Sequence, residues 1–384
     1  MEVQEYVDAK KQLYSLVLQF IEDDEEENGE KFTKLVDFIE KYHYAANKEE
    51  LEDILSLISS IANNHYRNQH FFSNIEKLFL HLENQIKQNV SNTEIYELFK
   101  ENKRILVFLF EKKIITINDE IIHSMLYKKI TYFNYFYNII ESLSNDTKRI
   151  EITKKSILDS NPLILENFDE KQKKGENDSQ ICEIIRKDSV VDFITYVNRE
   201  NISLSSTIVE SVFETNLLLL SKSPTLIEYA AFFGSIQIFQ YLNKNGVELN
   251  SSLWNYAIHG KNPEIIMILE NEQIEPIDSS YLSCLNEAIK CHHNDIVEYI
   301  KLNFLKSDDI KFDYFNDHLY YAYQNHNYEY ILTKEKDDDE DERKIETYTN
   351  LNYFYAAEFN YLELVKLLLK NKNIDINLSI ICHH

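Results

Sequence analysis

Apolar residues return every three or four positions in Lys31–His43 (KFTKLVDFIEKYH) and in Glu50–Ala62 (ELEDILSLISSIA), which is the period of an amphipathic helix. Asn102–Lys112 (NKRILVFLFEK) reads as a further outer helix, and Asn118–Leu126 and Tyr132–Leu143 as another pair. From Met1 to about Ser144 the pattern predicts helix after helix. Asp169–Ser179 (DEKQKKGENDS) is polar, charged and contains a glycine, so it reads as a linker or a long loop. Asp188–Val197 then looks like the second helix of a worn first unit, and Ser205–Leu220 like further helix.

The second half repeats itself. The stretches TLIEYAA (Thr225–Ala231), SLWNYAI (Ser252–Ile258), SCLNEAI (Ser283–Ile289), DHLYYAY (Asp317–Tyr323) and LNYFYAA (Leu351–Ala357) share an alanine. These anchors are Ala230, Ala257, Ala288, Ala322 and Ala356, spaced 27, 31, 34 and 34 residues apart. A large apolar residue sits three positions before each anchor: Ile227, Trp254, Leu285, Leu319, Tyr353. An acid or amide sits seven after, and apolar pairs sit eight and nine after, from Ile238–Phe239 to Leu364–Val365. Twelve after come Leu242, Leu269, Ile300 and Leu368, with Lys334 breaking the fourth unit.

This pattern has a direct physical reading. Thr225, Ser252, Ser283 and Asp317 each precede a short helix whose free backbone amides they can satisfy as N-caps. The alanine lets a neighbouring helix approach closely. A second helix adds an apolar stripe to the same core, and neither helix buries its stripe alone, so the units must stack. Gly234 and Gly260 fall near the turns between paired helices, where a positive φ is often wanted. The expected class is all-α, an α-solenoid preceded by an α-helical region. The expected division is 1–168 for that region, itself read as degenerate repeats, then 169–179 as linker or loop, then 180–384 for the repeats.

The units resemble the ankyrin repeat. AAEFNYLELVKLLLKNKNIDIN (Ala356–Asn377) and TLIEYAAFFGSIQIFQYLNKNGVELN (Thr225–Asn250) carry the resemblance best. They depart from the family's Thr-Pro-Leu-His helix start, reading Thr225-Leu226-Ile227-Glu228 and Ser252-Leu253-Trp254-Asn255. The resemblance therefore implies less regular and less stable repeats, and the 27-residue spacing implies a shortened finger. Gly175–Asn216 running into PTLIEYAAFFGSIQIFQYL, with SLWNYAIHGKNPEII and EAIKCHHNDIVEYI, is similar to a large protozoan family of ankyrin proteins. That family shares a domain of unknown function. The likeness implies a fold and an interaction role, with no catalytic residues.

Composition narrows the rest. Five glycines and four prolines cannot supply the turns of a sandwich or barrel, nor a phosphate-cradling loop. The chain lacks G-x-S-x-G, a Walker A loop, G-x-G-x-x-G and H-E-x-x-H. A formal net charge of −25 repels phosphate backbones and anionic membranes, so the expected partner is a protein with a basic surface, with no nucleic acid and no membrane. The four cysteines are unpaired in pattern and no apolar signal core or membrane-length run is present, so cytoplasm is the expected setting and a monomer the expected state.

Several features invite chemistry and do not carry it. Cys291-His292-His293 and Cys382-His383-His384 lack the spacing of a structural zinc site, because adjacent helical residues point apart. Lys334–Lys344 (KEKDDDEDERK) has neither the glycine nor the alternating ligands of a calcium loop and reads as an exposed insertion. His65, His70 and His81 are too far apart to share a ligand. No catalytic, cofactor or metal residue is expected. By the resemblance, a partner meets the finger tips near Asn250, Ser251 and Ser252, near Asp278, Ser279 and Ser280, and near Thr349 and Asn350. The alternative is an adaptor or substrate-receptor subunit with a second docking surface in its N-terminal helical half.

Overall fold

The computed structural model describes residues 2–23, 29–127, 130–143, 147–160, 162, 164–305, 312–331 and 342–370. Among them the regular structure is all helical, with one isolated antiparallel bridge between Thr207 and Thr225. The first helices are α1 (Val3–Ile21), α2 (Gly29–Lys41), α3 (Lys48–Asn64), α4 (Phe71–Asn89), α5 (Asn92–Phe99) and α6 (Lys103–Glu111). Next come α7 (Asp119–Tyr127), α8 (Ile130–Tyr135), α9 (Tyr137–Leu143), α10 (Thr147–Ser160) and α11 (Phe168–Lys174). Then follow α12 (Gln180–Arg186), α13 (Val190–Arg199), α14 (Leu217–Ser221), α15 (Leu226–Phe232), α16 (Ile236–Lys244), α17 (Leu253–Gly260) and α18 (Pro263–Asn271). The last are α19 (Leu282–Lys290), α20 (Asn294–Asn303), α21 (Phe312–Gln324), α22 (Glu342–Glu358) and α23 (Leu362–Leu368). No helix among the described residues is long and apolar enough to cross a membrane.

Contacts gather the chain into two units. Unit 1 is Met1–Ile61, Arg67–Asn74 and Glu275–His384, and unit 2 is Ala62–Tyr66 and Ile75–Ile274. The stretch expected as linker or loop lies inside unit 2 and is partly helical: α11 buries Phe168 and Gln172 and ends at Gly175, φ 67°. Its high charge misled the reading, because the charged residues line one exposed face while Phe168 anchors the other. Ser205–Leu220, expected as helix, is irregular up to the short α14; Ile208 N–H donates to Pro224 O and Leu226 N–H to Ser206 O instead.

In unit 2 the helices pair as α12/α13, α15/α16 and α17/α18. Contact between α15 and α17 is the most extensive of any helix pair; α12 packs on α15, α13 on α16 and α16 on α18. First helices stack on first helices and second on second, which is how two narrow apolar stripes become one core. All seven residues of α15 are buried, including Glu228, whose carboxylate closes a capping box with Thr225. In unit 1, α19 packs on α20 and on α21, α21 on α22, and α22 on α23. The five anchoring alanines have no exposed surface.

The other expected caps behave differently. Ser252 is αR and makes no cap bond; its hydroxyl instead meets the Glu228 carboxylate and Asn250 Oδ1. Ser283 and Asp317 lie within α19 and α21, which start earlier than the repeat pattern suggested. In the fourth unit, residues 325–331 are turns rather than a second helix, yet Tyr330 and Ile331 are buried as their positions required.

One turn recurs throughout. Four residues after each anchor the backbone is left-handed: Gly234 (φ 65°), Lys261 (51°), His292 (61°), His326 (55°) and Asn360 (64°), with Asp188 (48°) marking an earlier unit. The next amide reaches back to the anchor carbonyl, as in Ser235 to Ala230, His293 to Ala288, Asn327 to Ala322 and Tyr361 to Ala356. This is a Schellman closure, and it turns the chain sharply from first helix to second. Gly260 does not take the positive φ expected near it; Lys261 does. What Gly260 supplies is space, since a Cβ there would collide with the Ala231 carbonyl oxygen on the neighbouring first helix.

The side chain five after the anchor then ties one pair to the preceding pair. Ser235 Oγ donates to Ile185 O (2.6 Å) and Asn262 Nδ2 to Gly234 O (2.9 Å) in unit 2. Asn327 Nδ2 donates to Ile289 O (2.9 Å) and Tyr361 Oη to Tyr323 O (2.8 Å) in unit 1. Each bond satisfies a carbonyl that a helix end leaves without an intrahelical partner. The same device appears earlier in unit 2, where buried Asn102 caps α6 and donates to Ala62 O (3.0 Å).

Candidate interaction surface

The loops that join each second helix to the next first helix carry the residues singled out in the sequence. In unit 2 the loop after α16 turns at Gly246 (φ 81°), where an added Cβ would point into open space. Asn250 is exposed, and Ser251 and Ser252 are half-buried. In unit 1 the loop before α19 is held by Asp278, whose Oδ2 accepts Ser280 Oγ (2.9 Å) and Ser283 N–H (2.8 Å). Burial works against its charge, but these hydrogen bonds outweigh it and hold the Asp278 carboxyl below its ordinary range. Ser279 takes a left-handed φ of 50°, and Ile277 beside it is 66% exposed. An apolar side chain held out by a fixed backbone is a natural anchor for a partner, and periodicity gave no signal for it.

The third expected tip is not a tip. Residues 349 and 350 lie inside α22, and Asn350 is buried. Because α22 starts at Glu342, the register that opens other units with a loop here runs through helix. The side chain of Thr349 lies outside the described residues, as do Asp337–Asp341 of the acidic run 337–342 and the whole of Cys382-His383-His384.

The cysteine thiols among the described residues are sequestered. Cys182, Cys284 and Cys291 are free thiols and buried. Burial raises all three above the ordinary thiol range, Cys284 to about 12, so the nucleophilic thiolate is scarce. Trp254 packs in the core and donates Nε1–H to Ile274 O (2.6 Å). A cavity of about 20 Å³ under the loop before α15, between Glu214, Leu219, Pro224 and Tyr229, holds one water at most.

Unit 1 has a second polar constellation that the sequence did not flag. Lys10 of α1 is buried and pairs with Glu50 (2.5 Å) and Asp53 (2.9 Å) of α3, over the ring of Tyr44 at 4.8 Å. Burial opposes its charge, yet Asp53, Tyr6 and Glu50 together carry its basicity above the ordinary lysine range. Tyr14 of α1 and Ser60 of α3 then reach the turn between α19 and α20. Tyr14 Oη lies 3.2 Å from His292 Nδ1, and Ser60 Oγ lies 3.3 Å from His292 Nε2. Ser60 also donates to Asn325 O (2.8 Å) on the next turn. On the same edge Tyr361 Oη meets His326 Nδ1 (2.9 Å), and burial pushes His326 down to about 4. The first helices of the chain thus cover the turn edge of α19–α23. Nothing local in either segment could have announced this, since the partners are 232 to 280 residues apart.

No protein-family model matches the chain, and no curated protein or solved structure resembles it significantly.

Proposed function

We propose that this chain is a non-catalytic protein-binding module built on ankyrin-type repeats, and that its partner presents a basic surface. The observation that supports this most is the contrast between the two edges of the helix pairs in unit 1. The turn edge is covered by α1 and α3, while the loop edge presents Ile277, Asp278 and Ser279 to solvent. In unit 2 the corresponding loop presents Glu248 and Asn250. From Asn245 to Ser280 the acids are Glu248, Glu264, Glu270, Glu272, Glu275 and Asp278, against the single base Lys261, which favours a cationic partner. The adaptor alternative has less support, because α1 and α3 share a core with α19–α23 and are not a free N-terminal docking body.

The test compares the full chain with an Asn250→Arg/Ile277→Arg variant as bait in a lysate of the source cell. Both positions are exposed, so the helical circular dichroism should not change. Capture by the wild type and loss with the variant is the expected result. Equal capture by both would remove the loops from the binding surface and refute this reading of them.

A further inference from the structure

The hydrogen bonds around His292 run in one direction, and their two ends are fixed by backbone groups. Glu329 N–H can only donate, and it donates to Asn327 Oδ1 (3.3 Å). That orients the Asn327 amide so that Nδ2 gives one hydrogen to Ile289 O (2.9 Å) and the other to Asn294 Oδ1 (3.0 Å). Asn294 is oriented in turn, and its Nδ2 donates to Tyr14 Oη (3.2 Å). The Tyr14 proton is then left for His292 Nδ1 (3.2 Å). At the far end the Ser60 proton is taken by the Asn325 carbonyl (2.8 Å), so Ser60 Oγ must accept from His292 Nε2–H (3.3 Å). Only one imidazole satisfies both ends: neutral, with the hydrogen on Nε2 and Nδ1 bare.

We propose that His292 is a pH-sensitive latch, holding α1 and α3 on the turn edge of unit 1 while its ring is neutral and releasing them when the ring gains a second proton. A proton on Nδ1 meets the Tyr14 hydroxyl donor head-on. Tyr14 cannot escape by ionising, because burial, with Glu329 and Glu22 adding to it, keeps its proton on. Its hydroxyl must rotate away and leave a donor buried without an acceptor, which low local polarity makes costly. The ring is 2% exposed, so its charge is also poorly solvated. Among the described residues, the groups facing it include Tyr14 from α1, Ser60 from α3, Asn294 from α20, and Tyr328, whose ring packs on Tyr14. Glu329 lies beside Tyr328. Lys10, Glu50 and Asp53 bind α1 to α3 and form the charged cluster nearest His326.

The full chain, with 15N-labelled histidine, tests the tautomer and the latch separately. At pH 7 the Nε2–H form of His292 is expected, and the Nδ1–H form would overturn the chain of donors. Hydrogen exchange of α1 and α3, corrected for intrinsic pH dependence, should rise at least tenfold between pH 7 and pH 5, with α15–α18 as the internal reference. In a His326→Asn background, which removes the other buried imidazole of that edge, the rise should persist, and adding His292→Gln, whose amide can still accept from Tyr14 and donate to Ser60 without titrating, should abolish it. An unchanged exchange rate in the wild type refutes the latch. A rise that disappears with His326→Asn alone assigns the response to His326, and one that survives His292→Gln in that background assigns it elsewhere; either refutes the latch. If the double variant does not fold, the His292 tautomer and its coupling to exchange in His326→Asn still decide.

Discussion

Gly260→Ala probes the seam that stacks one helix pair on the next in unit 2. Gly260 ends α17 and has ordinary helical φ, so the usual objection to replacing a glycine does not apply. By helix propensity alone, alanine should gain up to about 1 kcal/mol. The structure reverses this. An added Cβ would fall far inside contact distance of the Ala231 carbonyl oxygen and 3.0 Å from the Gly234 nitrogen, and both are backbone atoms that cannot swing aside. Relief requires α15 and α17 to separate by about 1 Å, and a gap of that size forfeits a quarter to a half of the dispersion well along the seam. The seam is made of Ala230, Ala231, Ala257 and Ile258, all fully buried. Overpacking that forces backbone shifts costs about 1–3 kcal/mol, and with two backbone clashes the upper end, about 3 kcal/mol, is expected. Two controls isolate the cause. Gly246→Ala meets open space but takes a left-handed φ and should lose about 1 kcal/mol. Gly29→Ala meets nothing within 4 Å and should be neutral or slightly stabilising. Urea unfolding followed by circular dichroism at 222 nm ranks the three. A Gly260→Ala midpoint equal to that of Gly29→Ala would show that the helices do not approach as described.

Three further outcomes follow from the same geometry. His326 has its pKa pushed down to about 4 from 6.5 by burial, so the folded state takes up its proton later than the unfolded chain does; stability is complete above pH 6.5 and falls by about 3 kcal/mol as pH drops towards 4, and His326→Asn should flatten that slope in thermal melts. Asn327→Ala removes donors to Ile289 O and Asn294 Oδ1 and an acceptor for Glu329 N–H at a fully buried site, so it should cost about 3 kcal/mol, against about 1 kcal/mol for Asn262→Ala, whose site is half-buried. Deleting residues 1–61 exposes Tyr328, His292 and Tyr361, so α19–α23 should lose their protection from protease while remaining part of the chain; intact protection would mean that the repeats of unit 1 are self-sufficient.

The sequence by itself determined what depends on short-range periodicity. The alanine anchors, the apolar residues three before and eight and nine after them, and the helical class all follow from which side of a helix a residue must face. Thr225 was legible as a cap because its partner Glu228 is three residues away. Gly260 shows the limit of that logic, since its role is a gap for a carbonyl on another helix. Asn350 shows it again, because the start of α22 at Glu342 moved a predicted loop into helix. The ladder of Ser235, Asn262, Asn327 and Tyr361 hid behind four different side chains, joined only by a shared turn geometry that lets each reach the previous pair. The covering of the turn edge by Lys10, Tyr14 and Ser60 was beyond any local signal. It depends on two amphipathic helices finding a buried, hydrogen-bonding edge more than two hundred residues away, and only the folded chain brings those groups together.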